Sequence, residues 1–377
     1  MNARQFGRLL RLKVDGDVYA QPWYLVTTVP ASATNCPFIE PEVGITSTPV
    51  IDEKSGTLYV LARTLERDLS GTMRGWQRLH ALDVRTGARK LGGPVAIRAS
   101  LTKPDSGLFG FFSQQIEFGA IHENPRASLL LANGIVYLSW ASSCDVRPYY
   151  GWMMAYRADN LKQTGFFNTA PLAGDSGIWQ SDTGPAADEE GNVYAVTGNG
   201  VFDAASGGED YGDSVLKLEL TAARFSVKDY FTPHDQEQLN ATDRDLGSGG
   251  PLLIPKQEGS EKRLLVIAGK AGVVYVLDQD HLGKFHAGDD RHAMSTVSLD
   301  GHEFGAPAYW NGHVYFQPQN GLLTDFAVRH DQLVPVAQSS FHAAQTGATP
   351  AVSANGAKGA IIWIVSTTDA GAHGRLF

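Results

Sequence analysis

Several things are scarce in this sequence. Its 377 residues include two cysteines, Cys36 and Cys144, without a metal-type spacing. A zinc cluster is excluded, and either one disulfide or two inert thiols remain. Long apolar runs are missing. The longest, residues 360–365, is far short of the roughly 18 residues a membrane-spanning helix needs, so no membrane span is expected. Charged residues make up only 19% of the chain, and Asp and Glu (40) outnumber Lys and Arg (31), giving a formal charge of −9. No basic block offsets that acidity, so a general phosphate-backbone binder is excluded and no nucleic-acid partner is expected. Met1, Asn2, Ala3, Arg4, Gln5 and Phe6 lack the apolar stretch of a secretory signal. The chain is therefore expected to be either cytoplasmic or a mature form carrying a start methionine.

Long helical patterns are scarce too, because Gly, Pro and Asn-Gly punctuate the chain too often. What recurs is a two-part unit. In its first half a small residue, often followed by Pro, leads through a short apolar stretch and a turn into a β-rich run. Ser47-Thr48-Pro49 leads to Leu58-Tyr59-Val60, Gly184-Pro185 to Val193-Tyr194-Ala195, and Gly250-Pro251 to Leu264-Leu265-Val266. Ala306-Pro307 leads to Val314-Tyr315-Phe316, and Thr349-Pro350 to Ile361-Ile362-Trp363. A copy without Pro runs from Leu129 through Asn133-Gly134 to Val136-Tyr137-Leu138. The second half is an apolar strand ending in an acidic turn, as in Leu79-His80-Ala81-Leu82-Asp83 and Val274-Tyr275-Val276-Leu277-Asp278.

Repeats of this length, with about four strands each, predict an all-β fold, a β-propeller of four-stranded blades. The rival is a β-sandwich with coincidental turns. The copies begin near residues 44, 126, 180, 244, 302 and 346, so six blades are expected, with seven or eight as alternatives. Two N-terminal β-rich runs, 6–14 and 18–26, are expected to pair with the short last copy. That pairing would close one domain over residues 1–377 and remove the open edges. The insertions at 100–123 and 202–211 are expected to lie over one face of the ring.

Four sites cluster at the ends of these units: Trp179 in Gly-Ile-Trp-Gln, Asn199 in Thr-Gly-Asn-Gly, Asp243 and Asp245 flanking Arg244, and Lys270 in Gly-Lys-Ala-Gly. In this order the segments containing them resemble the pyrroloquinoline quinone (PQQ) alcohol dehydrogenases over about residues 130–285. Nearly the whole chain resembles the wider group of bacterial PQQ-repeat propellers. The resemblance implies PQQ and calcium as cofactors and an alcohol or sugar as substrate. It implies Trp179 as the aromatic floor under the quinone and Lys270 as the cation bonding its oxygens. Asn199, and Asp145 with a spacing shifted by about one residue, would be calcium ligands, and Asp245 the general base. His122 matches a recurrent motif of the wider group and is expected near the channel. The group is usually exported, so a periplasmic or secreted location and a monomer are expected. The adjacent cysteine pair of the dehydrogenases is absent. Because neighbouring blade mouths are close in space, a Cys36–Cys144 disulfide is the hypothesis for these two thiols.

Each residue also has a plainer reading: Trp179 as inter-sheet packing, Thr-Gly-Asn-Gly as a tight turn, Asp245 as a cap at the channel rim, Lys270 as a solvated turn lysine. The matching alternative function is a non-catalytic propeller binding a protein or glycan partner. The 11 histidines form no His-x-His or His-x-x-x-His pair, a Gly-x-Ser-x-Gly elbow is absent, and the glycines at 247–250 do not open a helix.

Overall fold

A computed structural model of the protein describes residues 28–103, 114–221, 224–343, 347–367 and 374–376. Five consecutive segments each fold into four antiparallel strands paired in chain order. The first sheet comprises Val50–Asp52, Thr57–Arg67, Met73–Asp83 and Val95–Ala96. The second comprises Leu130–Ala132, Ile135–Ser142, Trp152–Arg157 and Gln163–Asn168. The third comprises Ala186–Ala187, Val193–Val196, Val215–Thr221 and Arg224–Thr232, extended by a parallel Lys284–Phe285. Leu252–Ile254, Leu264–Ala268, Val273–Asp278 and Ser295–Ser298 form the fourth. Ala308–Trp310, His313–Phe316, Leu322–Arg329 and Gln332–His342 form the fifth. A sixth segment has a two-stranded hairpin, Ala351–Asn355 with Lys358–Trp363. The sheets thus follow the repeats read in the sequence.

Local chemistry sets the hairpins. Ala132 pairs with Ile135 across Asn133 (φ 50) and Gly134 (φ 75), and Trp310 pairs with His313 across Asn311 (φ 50) and Gly312 (φ 84). Two successive positive φ angles match the twist of paired strands, and Asn-Gly supplies them at low cost.

Burial then stacks the sheets. One apolar cluster joins Tyr59, Leu61 and Leu79 of the first sheet to Leu138, Trp140 and Met154 of the second. Others join the second to the third, the third to the fourth and the fourth to the fifth. A sheet covered on both faces needs apolar side chains on both, which is why Ile135–Ser142 and Leu264–Ala268 read as runs instead of alternating. The first strands of sheets one and two lie side by side, as do those of sheets three to six.

Three expectations need comment. The runs at 6–14 and 18–26 lie outside the described residues. In the insertion at 100–123, Ser100–Lys103 pairs with Gln114–Glu117 and Phe118 packs edge-on against Trp140 at 5.0 Å, while residues 104–113 lie outside the described residues. In the second insertion Phe202 packs against Tyr230 and Phe285. Among the described residues no helix is long and apolar enough to cross a membrane.

Trp140 is fully buried, and its Nε1–H donates to Gln77 Oε1 at 2.7 Å across the first two sheets. Trp140→Ala is expected to cost about 3–5 kcal/mol in urea unfolding; a loss below about 1 kcal/mol would contradict the stacking described here.

Candidate functional site

Because the first strands converge, two kinds of chain segment meet at one end of the sheets. One kind precedes a first strand: residues 36–39, 124–126, 179–181, 243–248 and Phe304. The other follows a second strand: Cys144 and Asp145, Asn199, and Lys270. Together they line a cavity of about 250 Å³. All five residues assigned from the resemblance, Asp145, Trp179, Asn199, Asp245 and Lys270, line it. His122 does not. Its Nδ1 is buried without a partner, and the neighbouring Asn124 faces the cavity instead.

Cys36 and Cys144 also line the cavity and are disulfide-bonded, with Cα atoms 5.3 Å apart and 108 residues between them in sequence. The bond ties the loop carrying Phe38 and Ile39 to the wall of the second sheet. Phe38 is 81% exposed at the rim.

Trp179 is half-buried, and Tyr149 meets its indole edge-on at 6.3 Å. The large inter-sheet positions are filled by Trp140 and Trp152 instead. Trp179 lies so close to the Thr-Gly-Asn-Gly turn that a Cβ at Gly198 would sit 2.7 Å from its Cδ1 and 3.0 Å from Asp245 Oδ1. Only glycine fits between the indole and the carboxylate.

The polar groups form one network. Lys270 Nζ contacts Asp245 Oδ2 at 2.5 Å and Asp243 Oδ1 at 2.7 Å. Burial alone would lower the Lys270 ammonium, but the two carboxylates outweigh it and hold the group above its usual value. Asn199 donates its backbone N–H to Asp245 Oδ1 at 2.8 Å and its Nδ2–H to Asp243 Oδ1 at 3.0 Å. A carboxylate only accepts, so the amide is fixed with Oδ1 turned away, and that oxygen is buried without a partner. Asp145 is pushed up by burial, against the Tyr149 hydroxyl that bonds it, with Asp245 and Asp243 adding to the rise.

This donor set bears on the metal. Among the described residues no three His, Cys, Asp or Glu side chains form a ready metal cluster. An unpartnered amide oxygen beside mutually repelling carboxylates nevertheless suits a hard cation, provided the ligand supplies further oxygens.

Sequence reasoning missed other participants. Arg126 lines the cavity with an exposed side chain that makes no hydrogen bond among the described residues; the surrounding protein lowers its guanidinium, and Asp182 and Asp245 partly offset this. Its signal was positional, since it precedes a first strand as Trp179 does. Asp213, fully buried, accepts the Leu246 backbone N–H at 3.1 Å and Gln236 Nε2–H at 3.3 Å, while its own N–H bonds Gly198 O at 2.9 Å. It thus ties the turn of Asn199 to the segment carrying Asp245. Burial, reinforced by the charge of Asp245, pushes Asp213 up to about 8.

Two outcomes follow from these groups. Replacing both cysteines by serine is expected to lower stability by about 2–5 kcal/mol, because the bond closes a long loop in the unfolded chain. An unchanged intact mass on reduction would show that the bond is absent. For Asp213 the unfolded carboxyl loses its proton near pH 4 and the folded one near 8. Between those values only the folded state keeps the proton, so stability falls as pH rises. Asp213→Asn removes that titration. Its urea midpoint is expected to drop less than wild type between pH 5 and 8, and identical drops would contradict the assignment.

No protein-family model and no curated protein matches the chain. Distant likenesses among solved structures include the quinohemoprotein alcohol dehydrogenase of Comamonas testosteroni, at 16% identity over 75% of this chain and 52% of that one, TM-score 0.42. BamB from Moraxella catarrhalis matches at 11% identity over 86% and 82%, TM-score 0.45. Sqt1 of Saccharomyces cerevisiae matches at 10% over 87% and 82%, TM-score 0.48. The chain spans about half the length of the two quinohemoprotein alcohol dehydrogenases it matches. None of these likenesses assigns a role to a residue of this chain.

Proposed function

We propose that the cavity holds PQQ with a calcium ion and that the protein is an oxidoreductase of alcohols or sugars. The observation that carries this reading is the convergence of Asp145, Trp179, Asn199, Asp245 and Lys270, from five separate segments, on one cavity. Bound there, the quinone would supply the two-electron acceptor for a substrate carbon–hydrogen bond. The rest falls to the chain's own side chains. Trp179 offers a flat face for stacking. Asn199 Oδ1 and Asp145 hold the cation. The Asn199 N–H and Lys270 ammonium orient Asp245, which would take the proton of the substrate hydroxyl. Phe38, Ile39 and Phe304 limit water at the apolar side.

The same reading takes the chain as one six-bladed domain and as a periplasmic or secreted monomer. The Cys36–Cys144 bond supports an oxidising compartment. A second reading, a scaffold presenting loops to a protein or glycan, is favoured by one observation: Phe38 stands 81% exposed beside the cavity.

Titration with PQQ and calcium separates the two. A ligand at a hundredfold excess over its Kd should stabilise the protein by about 2.7 kcal/mol and quench tryptophan fluorescence. Trp179→Ala is expected to abolish most of the quenching. Asn199→Ala is expected to remove the luminescence of terbium, a calcium surrogate, excited through Trp179. No stabilisation, no terbium signal and no dye-linked alcohol oxidation in the wild type would leave the scaffold.

A further inference from the structure

Arg63 poses a problem of its own. It lies in the strand Thr57–Arg67, only 2% exposed, and no carboxylate among the described residues pairs with it. A buried guanidinium without an anionic partner is costly, and burial lowers it to about 10. Its terminal nitrogens donate to neutral oxygens, Nη1–H to Ile121 O at 2.9 Å and Ser143 Oγ at 3.2 Å and Nη2–H to Asn124 Oδ1 at 2.8 Å, while its buried Nε has no partner among the described residues.

The last bond has a geometric consequence. Arginine only donates, so the atom of the Asn124 amide that faces it must be oxygen. The Thr46 hydroxyl lies 3.1 Å from the same Oδ1 but its single proton is shared with Pro125 O at 2.9 Å, so the orientation rests on Arg63. Asn124 is itself only 7% exposed and lines the cavity, and its Nδ2 has no acceptor among the described residues. Beside it stand Arg126, without a side-chain hydrogen bond, and Ser142, whose buried Oγ is also unpartnered. Acceptors line the same cavity, namely Asp145, Asp243 and Asp245.

We propose that Arg63 is a positioning residue: it turns the Asn124 amide so that its N–H faces the cavity and donates to a carboxylate oxygen of the bound ligand. This rests on the cavity being the quinone site proposed above. It assigns the cavity a direction, with the ligand's acid group against Asn124 and its cation-binding oxygens against Asn199. An aspartate at 124 would satisfy Arg63 better but would turn a negative oxygen toward an anionic ligand. Stability and binding should then move in opposite directions, which a merely structural role for Asn124 would not produce.

The test compares wild type, Asn124→Asp and Asn124→Ala, each titrated with PQQ and calcium and with the trimethyl ester of PQQ, alongside ligand-free thermal melts. Asn124→Asp is expected to melt at or above the wild-type temperature without ligand, to bind PQQ roughly 10- to 100-fold more weakly, and to lose the wild-type preference for acid over ester. Asn124→Ala is expected to melt lower and bind PQQ about tenfold more weakly. Wild-type affinity for PQQ in Asn124→Asp, equal destabilisation by the two substitutions, or no acid preference in the wild type would overturn the proposal while leaving the quinone site standing. Failure of the wild type to bind PQQ at all would overturn the quinone site, and this assignment with it.

Discussion

The structure depends on one constraint: each of its middle sheets must bury both faces against the sheets before and after it in the chain. That burial stacks the sheets in order and draws neighbouring first strands together, so the segments entering first strands and leaving second strands share one end. The site is a by-product of this repetition. Asn124, Trp179, Asp245 and Phe304 are distant in sequence yet occupy similar places in successive repeats, as do Asp145, Asn199 and Lys270. A fold with a single such segment could not assemble the set.

Charge then gives the cavity its character. Lys270 is shared between two carboxylates and has little left to offer an anion. Among the described residues, Arg126, the Asn124 amide nitrogen, the Ser142 hydroxyl and Asn199 Oδ1 all line the cavity without a partner. Unpaired polar groups in a confined space are a standing cost to the folded state, and a ligand that pairs with them offsets it. The disulfide places a covalent brace at the rim of this site, where stacked strands end and no longer hold the loop.

Much of this was legible in the sequence, for identifiable reasons. Small-residue and Pro starts, Asn-Gly turns and apolar runs report local geometry and two-sided burial, so the six repeat starts matched the sheets. Trp179, Asn199, Asp245 and Lys270 were legible because each sits in a short glycine-containing segment at a repeat end. Arg63 and Asp213 were not. Each lies in an ordinary strand or turn context, and its role arises only through contacts across repeats, from Arg63 to Asn124 and from Asp213 to Leu246. His122 was misplaced because its neighbour Asn124, two residues on, takes the cavity-facing position.

The central claim is that Asn199 Oδ1 and Asp145 face a cation inside this cavity. Anomalous diffraction from crystals grown with PQQ and soaked in terbium tests it most directly. The account requires a single strong peak within coordination distance of Asn199 Oδ1 and Asp145. A cavity without a peak, or peaks confined to acidic turns on the outer surface, would contradict it.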